Sequence, residues 1–309
     1  MNKKIITALV ALTLVLPTTA HAALNNRTVD LKPSLAIIDT ALDTSIPEFA
    51  DKIVYEVCFI EWSTCPNGQS FMEGPGASGM PLNFMKKNGF DHGTQMTSSA
   101  IQANPNVNIV FIRIVGNTFN GTRQVVNEKV VVSALKWIYD NKTKFNIQAV
   151  SMSQGTSTFI NSVQYCPNTP STSSLITLLK NEGVASFFPS GNAKNYSKID
   201  WPACIPDSIA IGATMPGDYI ASYSNFDPNL LDFFALGSLR VKIPGNTYIN
   251  AAGTSVSAQV AAATWVGVKS KNASMSYQET YNLFVSKSVN VVGKNAFGKM
   301  IDTWSLLNG

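Results

Sequence analysis

Histidine is nearly missing from this chain: its 309 residues include two, His21 and His92. Charge is sparse as well, at 14% of residues, which argues against a coiled coil or a surface knitted from ion-pair networks. Cysteine is limited to Cys58, Cys65, Cys166 and Cys204. No two of them are spaced as CxxC, and with so little histidine the ligand pattern of a zinc site is lacking. Beyond the N-terminus no apolar run approaches the roughly 18 residues that mark a membrane span. Internal repeats and low-complexity linkers are absent too. What remains is a chain that is 45% hydrophobic, enough for a sizeable core and too apolar for disorder. Its length fits one large α/β domain or two ordinary ones.

The N-terminus reads as a targeting segment. Lys3 and Lys4 precede an apolar run from Ile5 to Leu16, too short to span a bilayer. Pro17 breaks the run, and Ala20-His21-Ala22 supplies the small-x-small cleavage pattern. Residues 1–22 are therefore expected to be a signal peptide, with export to the periplasm or the extracellular space. Their removal takes two lysines and no acid, so the formal charge falls from +4 to +2. That balance predicts neither a nucleic-acid partner nor a membrane association after signal removal. Residues 23–34 form a short segment that cannot bury a core of its own. The domain over 35–309 is thus expected to fold without a removable N-terminal domain. Export implies an oxidising compartment, where four cysteines allow three pairings. Cys58–Cys65 and Cys166–Cys204 are favoured, because each pair sits in or beside a loop rich in proline and asparagine.

Past residue 34, strand and helix patterns alternate. Leu35 to Ile38 is a short apolar run ending at Asp39, and Val107 to Val115 is rich in β-branched residues. The spacing of Val126, Val130, Ala134, Trp137 and Ile138 predicts a helix over Arg123 to Lys142. Ile147 to Met152, Val184 to Phe188 and Ser208 to Ala213 read as further strands. Ser174 to Glu182 reads as a helix stopped by Gly183. An alanine-rich helix follows Gly253, and the last helix opens on the capping box Ser276-Tyr-Gln-Glu279. The stretch from Glu61 to Gly89, dense in glycine and proline, reads as one long surface excursion. Alternating strands and helices predict an α/β fold, a mostly parallel central sheet with helices on both faces. Ligands of such sheets bind at the carboxyl ends of the strands, which makes Asp39 a candidate site residue.

Once residues 1–22 are set aside, His92 is the single histidine. Imidazole is the side chain whose ordinary pKa lies near neutrality, and hence the natural general base. In Ala252-Gly253-Thr254-Ser255-Val256-Ser257, Ser255 lies in the first turn of a helix, whose amides and positive end suit a developing oxyanion. The plainer alternative is that Thr254 or Ser255 caps that helix. Ser190-Gly191-Asn192 follows a strand, and its asparagine could aim an amide donor at an oxyanion or simply form a turn.

Together these segments resemble the subtilisin-like serine protease family, the subtilases (peptidase S8). Leu35-Ala36-Ile37-Ile38-Asp39-Thr40-Ala41-Leu42-Asp43 is similar to its aspartate motif and His92-Gly93-Thr94 to its histidine motif. Val150-Ser151-Met152-Ser153-Gln154-Gly155 is similar to its substrate-binding strand, Ser190-Gly191-Asn192 to its oxyanion motif, and Gly253-Thr254-Ser255 to its nucleophile motif. The order Asp…His…Ser is that of subtilisin. The resemblance spans about residues 35 to 268 and implies the family's three-layer fold and a serine endopeptidase acting on protein or peptide. It implies that Ser255 attacks the peptide carbonyl through an acyl-enzyme intermediate and that His92 shuttles the proton. Asp39 would orient the imidazole, and Asn192 with the Ser255 amide would bind the oxyanion. Ser153, Gln154 and Gly155 would offer backbone groups to an extended substrate. A P1 pocket would then lie between that strand and the segment near Asn192.

No cofactor is expected for catalysis. Relatives often hold structural calcium, but no compact Asp-rich loop indicates it here. The chain departs from the family pattern at Ala41, where glycine is usual, at Gln95, where a second histidine is common, and at Gln259, where proline is usual. Asp91 also neighbours His92, but Asp39 is preferred because adjacent residues at a helix start point apart. The plain reading of Asp43 is a solvated turn residue, and it is assigned no role. Two other readings remain: a catalytically impaired fold of this kind acting as an exported binding module, and an unrelated exported α/β ligand-binding protein.

Overall fold

Successive residues of the first strand, β1 (Ser34–Asp39), point into two different cores. Leu35 and Ile37 join one, Ala36 and Ile38 the other, and all four are fully buried. That alternation of uniformly apolar side chains is what a sheet covered on both faces requires. In the computed structural model the described residues are 32–86, 89–118, 120–124, 126–155 and 166–309.

A 3-10 turn at Pro47–Phe49 links β1 to β2 (Ile53–Phe59). β3 (Phe71–Glu73) and a one-turn helix, α1 (Leu82–Met85), follow. Then come α2 (His92–Ala103), β4 (Asn108–Arg113), α3 (Glu128–Asn141) and β5 (Ile147–Met152). Next are α4 (Pro170–Asn181), β6 (Ala185–Pro189), β7 (Ile209–Met215), β8 (Tyr219–Ile220) and β9 (Phe233–Leu236). A hairpin of β10 (Ser238–Ile243) and β11 (Thr247–Ala252) feeds directly into α5 (Thr254–Lys271). The chain closes with α6 (Tyr277–Lys287), β12 (Val289–Val292), β13 (Phe297–Met300) and α7 (Thr303–Asn308).

The main sheet runs β12-β13-β9-β7-β6-β5-β1-β4-β2-β3. Every pairing from β13 through to β2 is parallel, while β3, β8 and β12 join antiparallel at the margins. α2 and α5 cover one face, packing Met96, Ala100, Val256 and Trp265 on Leu35, Ile37, Ile109 and Phe111. α3 and α4 cover the other, packing Val131, Leu135, Ile138, Ile176 and Leu179 on Ala36, Ile38, Val110 and Val150. The predicted α/β three-layer architecture is therefore present.

Several boundaries differ from expectation. The helix predicted from Arg123 begins at Glu128, because Asn127 caps it by accepting from the Val130 amide at 3.1 Å. Arg123 lies in the loop before it, bridged to Asn117. α4 starts earlier than predicted, at Pro170, since proline suits the first turn of a helix. The capping box at Ser276 and Glu279 is formed, but α7 follows that helix. The stretch from Glu61 to Gly89 is not wholly irregular, for it holds β3 and α1. Buried Glu56 of β2 anchors it, accepting from the amides of Gly76 at 2.8 Å and Ser78 at 3.2 Å. Both favoured disulfides are formed, Cys58–Cys65 and Cys166–Cys204. No helix among the described residues is long and apolar enough to cross a membrane. No group of three or more His, Cys, Asp and Glu among them could hold a metal.

Candidate active site

From β1 the chain builds outward through β2 and β4 on one side, then returns to lay β5 along the other edge of β1. The connections thus diverge at the carboxyl end of β1, and that divergence opens a crevice. Asp39 ends β1 there, Ser153–Gly155 follows β5 there, and Ser190–Asn192 follows β6 there.

Asp39 is wholly buried, and His92 sits above it at the first turn of α2 with its side chain 24% exposed. His92 Nδ1 donates to Asp39 Oδ1 at 2.8 Å and Oδ2 at 3.0 Å. The Thr40 amide donates to Oδ1 at 2.7 Å and Gln154 Nε2 at 3.1 Å. Burial alone pushes the Asp39 carboxyl up. The charge and hydrogen bond of His92, the Thr40 amide and the charge of Arg123 outweigh burial and hold the group below the usual carboxylate range. The imidazole is therefore fixed through Nδ1, with Nε2 as its other face. Close backbone packing sets its position: a Cβ at Gly93 would lie 2.6 Å from the Ala41 carbonyl oxygen and 2.7 Å from the Phe111 ring. The Gly93 amide donates to the Thr40 hydroxyl at 2.8 Å.

α5 is buried on all sides, as a helix without an amphipathic face must be. From Thr254 to Lys269 every residue is buried except Ser255. The capping role allowed for Thr254 or Ser255 is not realised: Gly253 occupies the cap without a side-chain bond. Thr254 instead faces Asn192. Its amide donates to Asn192 Oδ1 at 2.9 Å and its hydroxyl at 3.1 Å, and the same hydroxyl accepts from the Gly191 amide at 3.2 Å. With Oδ1 taken, Nδ2 is the end of the Asn192 amide left to donate. Ser153 Oγ donates to the Ser255 carbonyl at 3.3 Å. Hydrogen bonds thus join Asp39 to His92 and Gln154, Ser153 to Ser255, and Asn192 to Thr254, the residue before Ser255.

The Gln154 side chain is 1% exposed and spans Asp39 and Arg123, to which it offers Oε1. Gly155 packs against the Trp201 carbonyl. Asp91 turns to Gln95 Nε2 at 2.9 Å and away from the imidazole. Asp43 is not a solvated turn residue, because it is 3% exposed and accepts from the Ser45 amide at 3.1 Å and the Gly245 amide at 2.7 Å. Gln259 is buried beneath the site, its Nε2 donating to Ser153 Oγ at 3.2 Å. Arg123, Asn225 and Asp200 also reach the site, and no motif in the sequence marks them as site residues. Asn225 accepts from the amides of Ala193 at 2.9 Å and Asn195 at 3.0 Å, ordering the turn that carries Asn192.

The family model of the subtilase family, peptidase S8, matches residues 31–301. The chain is 25% identical over 233 residues to alkaline elastase YaB of Bacillus sp. (strain YaB), covering 72% of this chain and 56% of that protein. It is 24% identical over 234 residues to subtilisin DY of Bacillus licheniformis, covering 72% and 80%. It thus spans little more than half the length of the alkaline elastase. Among solved structures, a cold-adapted subtilisin-like serine proteinase shares the fold with a TM-score of 0.66 at 20% identity, over 87% of this chain and 88% of that one. The epidermin leader peptide processing serine protease of Staphylococcus aureus does so with a TM-score of 0.70 at 14% identity, over 89% and 74%.

Proposed function

The chain belongs to the subtilase family, and on that premise we propose that it is an exported serine endopeptidase with Asp39, His92 and Ser255 as its triad. The observation that carries this reading is the pairing of a partly exposed imidazole with a buried, ionised carboxylate, together with Ser255 as the one residue from Thr254 to Lys269 that is not buried. Export is supported by the basic, apolar and Ala-x-Ala order of residues 1–22 and by the two disulfides.

In this mechanism Ser255 Oγ attacks the peptide carbonyl while His92 Nε2 takes its proton. Asp39 holds the imidazole in the Nδ1–H tautomer and stabilises the imidazolium that forms. The developing oxyanion accepts from Asn192 Nδ2 and the Ser255 amide, helped by the positive end of α5. His92 then protonates the leaving amine. A water molecule, deprotonated in turn by His92, releases the acyl group from Ser255. The backbone of Ser153–Gly155 receives the substrate as an added strand.

The test is labelling of purified mature protein with a fluorophosphonate probe, together with casein hydrolysis. Wild type is expected to label and to cleave, and Ser255→Ala to do neither. A chain that fails to label would instead be a binding module on this fold, and wild-type proteolysis by Ser255→Ala would remove Ser255 from the mechanism.

A further inference from the structure

Two glycines on opposite walls of the crevice face the same dipeptide, Asp200-Trp201. A Cβ at Gly155 would collide with the Trp201 carbonyl oxygen, and a Cβ at Gly191 with the Asp200 carboxylate and Asn225 Nδ2. The Asp200 amide donates to the Ser190 carbonyl at 2.8 Å, which ties this dipeptide to the segment carrying Asn192. Asp200-Trp201 therefore lies against both segments, Ser153–Gly155 and Ser190–Asn192, between which the P1 pocket is expected. In the mechanism above the scissile carbonyl lies at Ser255 and Asn192. The side chain of the residue bearing that carbonyl, P1, must descend into this space.

Among the described residues the charge on this dipeptide has no counterion. Asp200 is 7% exposed, and its carboxylate accepts from Asn225 Nδ2, 3.3 Å from Oδ1. Among the described residues no cation pairs with it, and Oδ2 has no donor. Burial pushes the carboxyl up to about 6, opposed by the Asn225 hydrogen bond. It is still mostly ionised at neutral pH. An apolar P1 side chain seated here would strip the remaining water from the carboxylate and return nothing for it. An ammonium or guanidinium would replace that water with a charge-assisted hydrogen bond.

We infer that Asp200 is the specificity-determining residue of the P1 pocket and selects substrates with lysine or arginine at P1, an inference that rests on the peptidase reading above. It assigns the enzyme to cleavage after basic residues, whereas the family resemblance by itself leaves the P1 preference open.

The experiment is a set of peptide 4-nitroanilides differing only at P1, with Arg, Lys, Leu and Phe. Wild type is expected to show kcat/KM at least about tenfold higher for Arg and Lys, and Asp200→Asn to lower the Arg-to-Leu ratio about 10²-fold. Circular dichroism confirms that the variant is folded. Binding of benzamidinium to Ser255→Ala, by calorimetry, probes the pocket without chemistry. It is expected to weaken at least about tenfold when Asp200→Asn is added. A wild-type preference for Leu or Phe, or an Arg-to-Leu ratio untouched by Asp200→Asn, overturns the assignment and leaves the peptidase reading standing. A chain that neither labels nor cleaves, yet binds benzamidinium through Asp200, keeps the pocket and loses the peptidase. Absence of benzamidinium binding in a chain that cleaves casein counts against the pocket.

Discussion

Asn192 and Thr254 fix one another across the crevice: the Thr254 amide and hydroxyl both donate to Asn192 Oδ1, at 2.9 and 3.1 Å. An asparagine tied by its carbonyl presents its NH₂ in one direction, and it cannot rotate away without breaking both bonds. Preorganisation of this kind matters where charge develops during reaction and much less where neutral substrate binds.

Asn192→Ala is accordingly expected to lower kcat about 10²–10³-fold with little change in KM, the magnitude that loss of an oxyanion donor carries in subtilisin. Steady-state kinetics on one chromogenic peptide decide the matter. A change mainly in KM would make Asn192 a substrate-binding residue.

Gly191 adopts φ +104°, and its side-chain direction is filled by Asp200 and Asn225. Gly191→Ala must therefore strain the backbone and displace two buried polar groups. It is expected to cost about 1–3 kcal/mol. Urea denaturation measures this, and a variant as stable as wild type would show that the turn can open freely.

Asp200 makes stability depend on pH with a defined sign. Its carboxyl is raised from 3.8 to about 6 in the folded chain, so between those values the native state holds a proton that the unfolded state has released. Through this group, stability falls as pH rises from about 4 to 6 and levels off above. Asp200→Asn removes that dependence. The melting temperature of the variant relative to wild type is expected to climb across this window and then stay constant. A flat difference across the window would mean that Asp200 titrates normally.

The two disulfides close loops of different length, with sequence separations of 7 and 38 residues. Loop-closure entropy gives roughly 2.5 kcal/mol for the first and about 4 kcal/mol for the second. Replacing Cys166 and Cys204 by alanine is therefore expected to lower the denaturant midpoint more than replacing Cys58 and Cys65. The reverse order would point to native-state packing around the Cys58–Cys65 loop as the larger effect.

The parts of the fold visible in sequence are those where local pattern and burial agree. β1, β4, β5, β6 and β7 are predominantly apolar because both their faces are covered, and α3 and α4 carry the 3.6-residue period. β2 is harder to see: its run Ile-Val-Tyr-Glu-Val-Cys-Phe holds Glu56, whose burial makes sense only once Gly76 and Ser78 bring their amides to it. β9, β12 and β13 are four residues each and pair with distant segments. Of the candidate site, the residues set in short contiguous motifs, Asp39, His92, Asn192 and Ser255, are legible in the sequence as candidates. Those that act on them from elsewhere are not. Arg123 continues a helical period that the Asn127 cap cuts short. Asn225 sits in the irregular segment between β8 and β9, and Asp200 in a stretch with no period at all.

β1 has a bonded neighbour along each edge and helices packed over each face. A strand enclosed in this way cannot fray, so its amide protons can be lost to solvent only when the whole domain opens. Asp39 is its last residue and α5 is buried along nearly its whole length. Heating will therefore not loosen the crevice ahead of the body of the molecule. Loss of the Asp39–His92 geometry and loss of the fold will arrive in a single cooperative step.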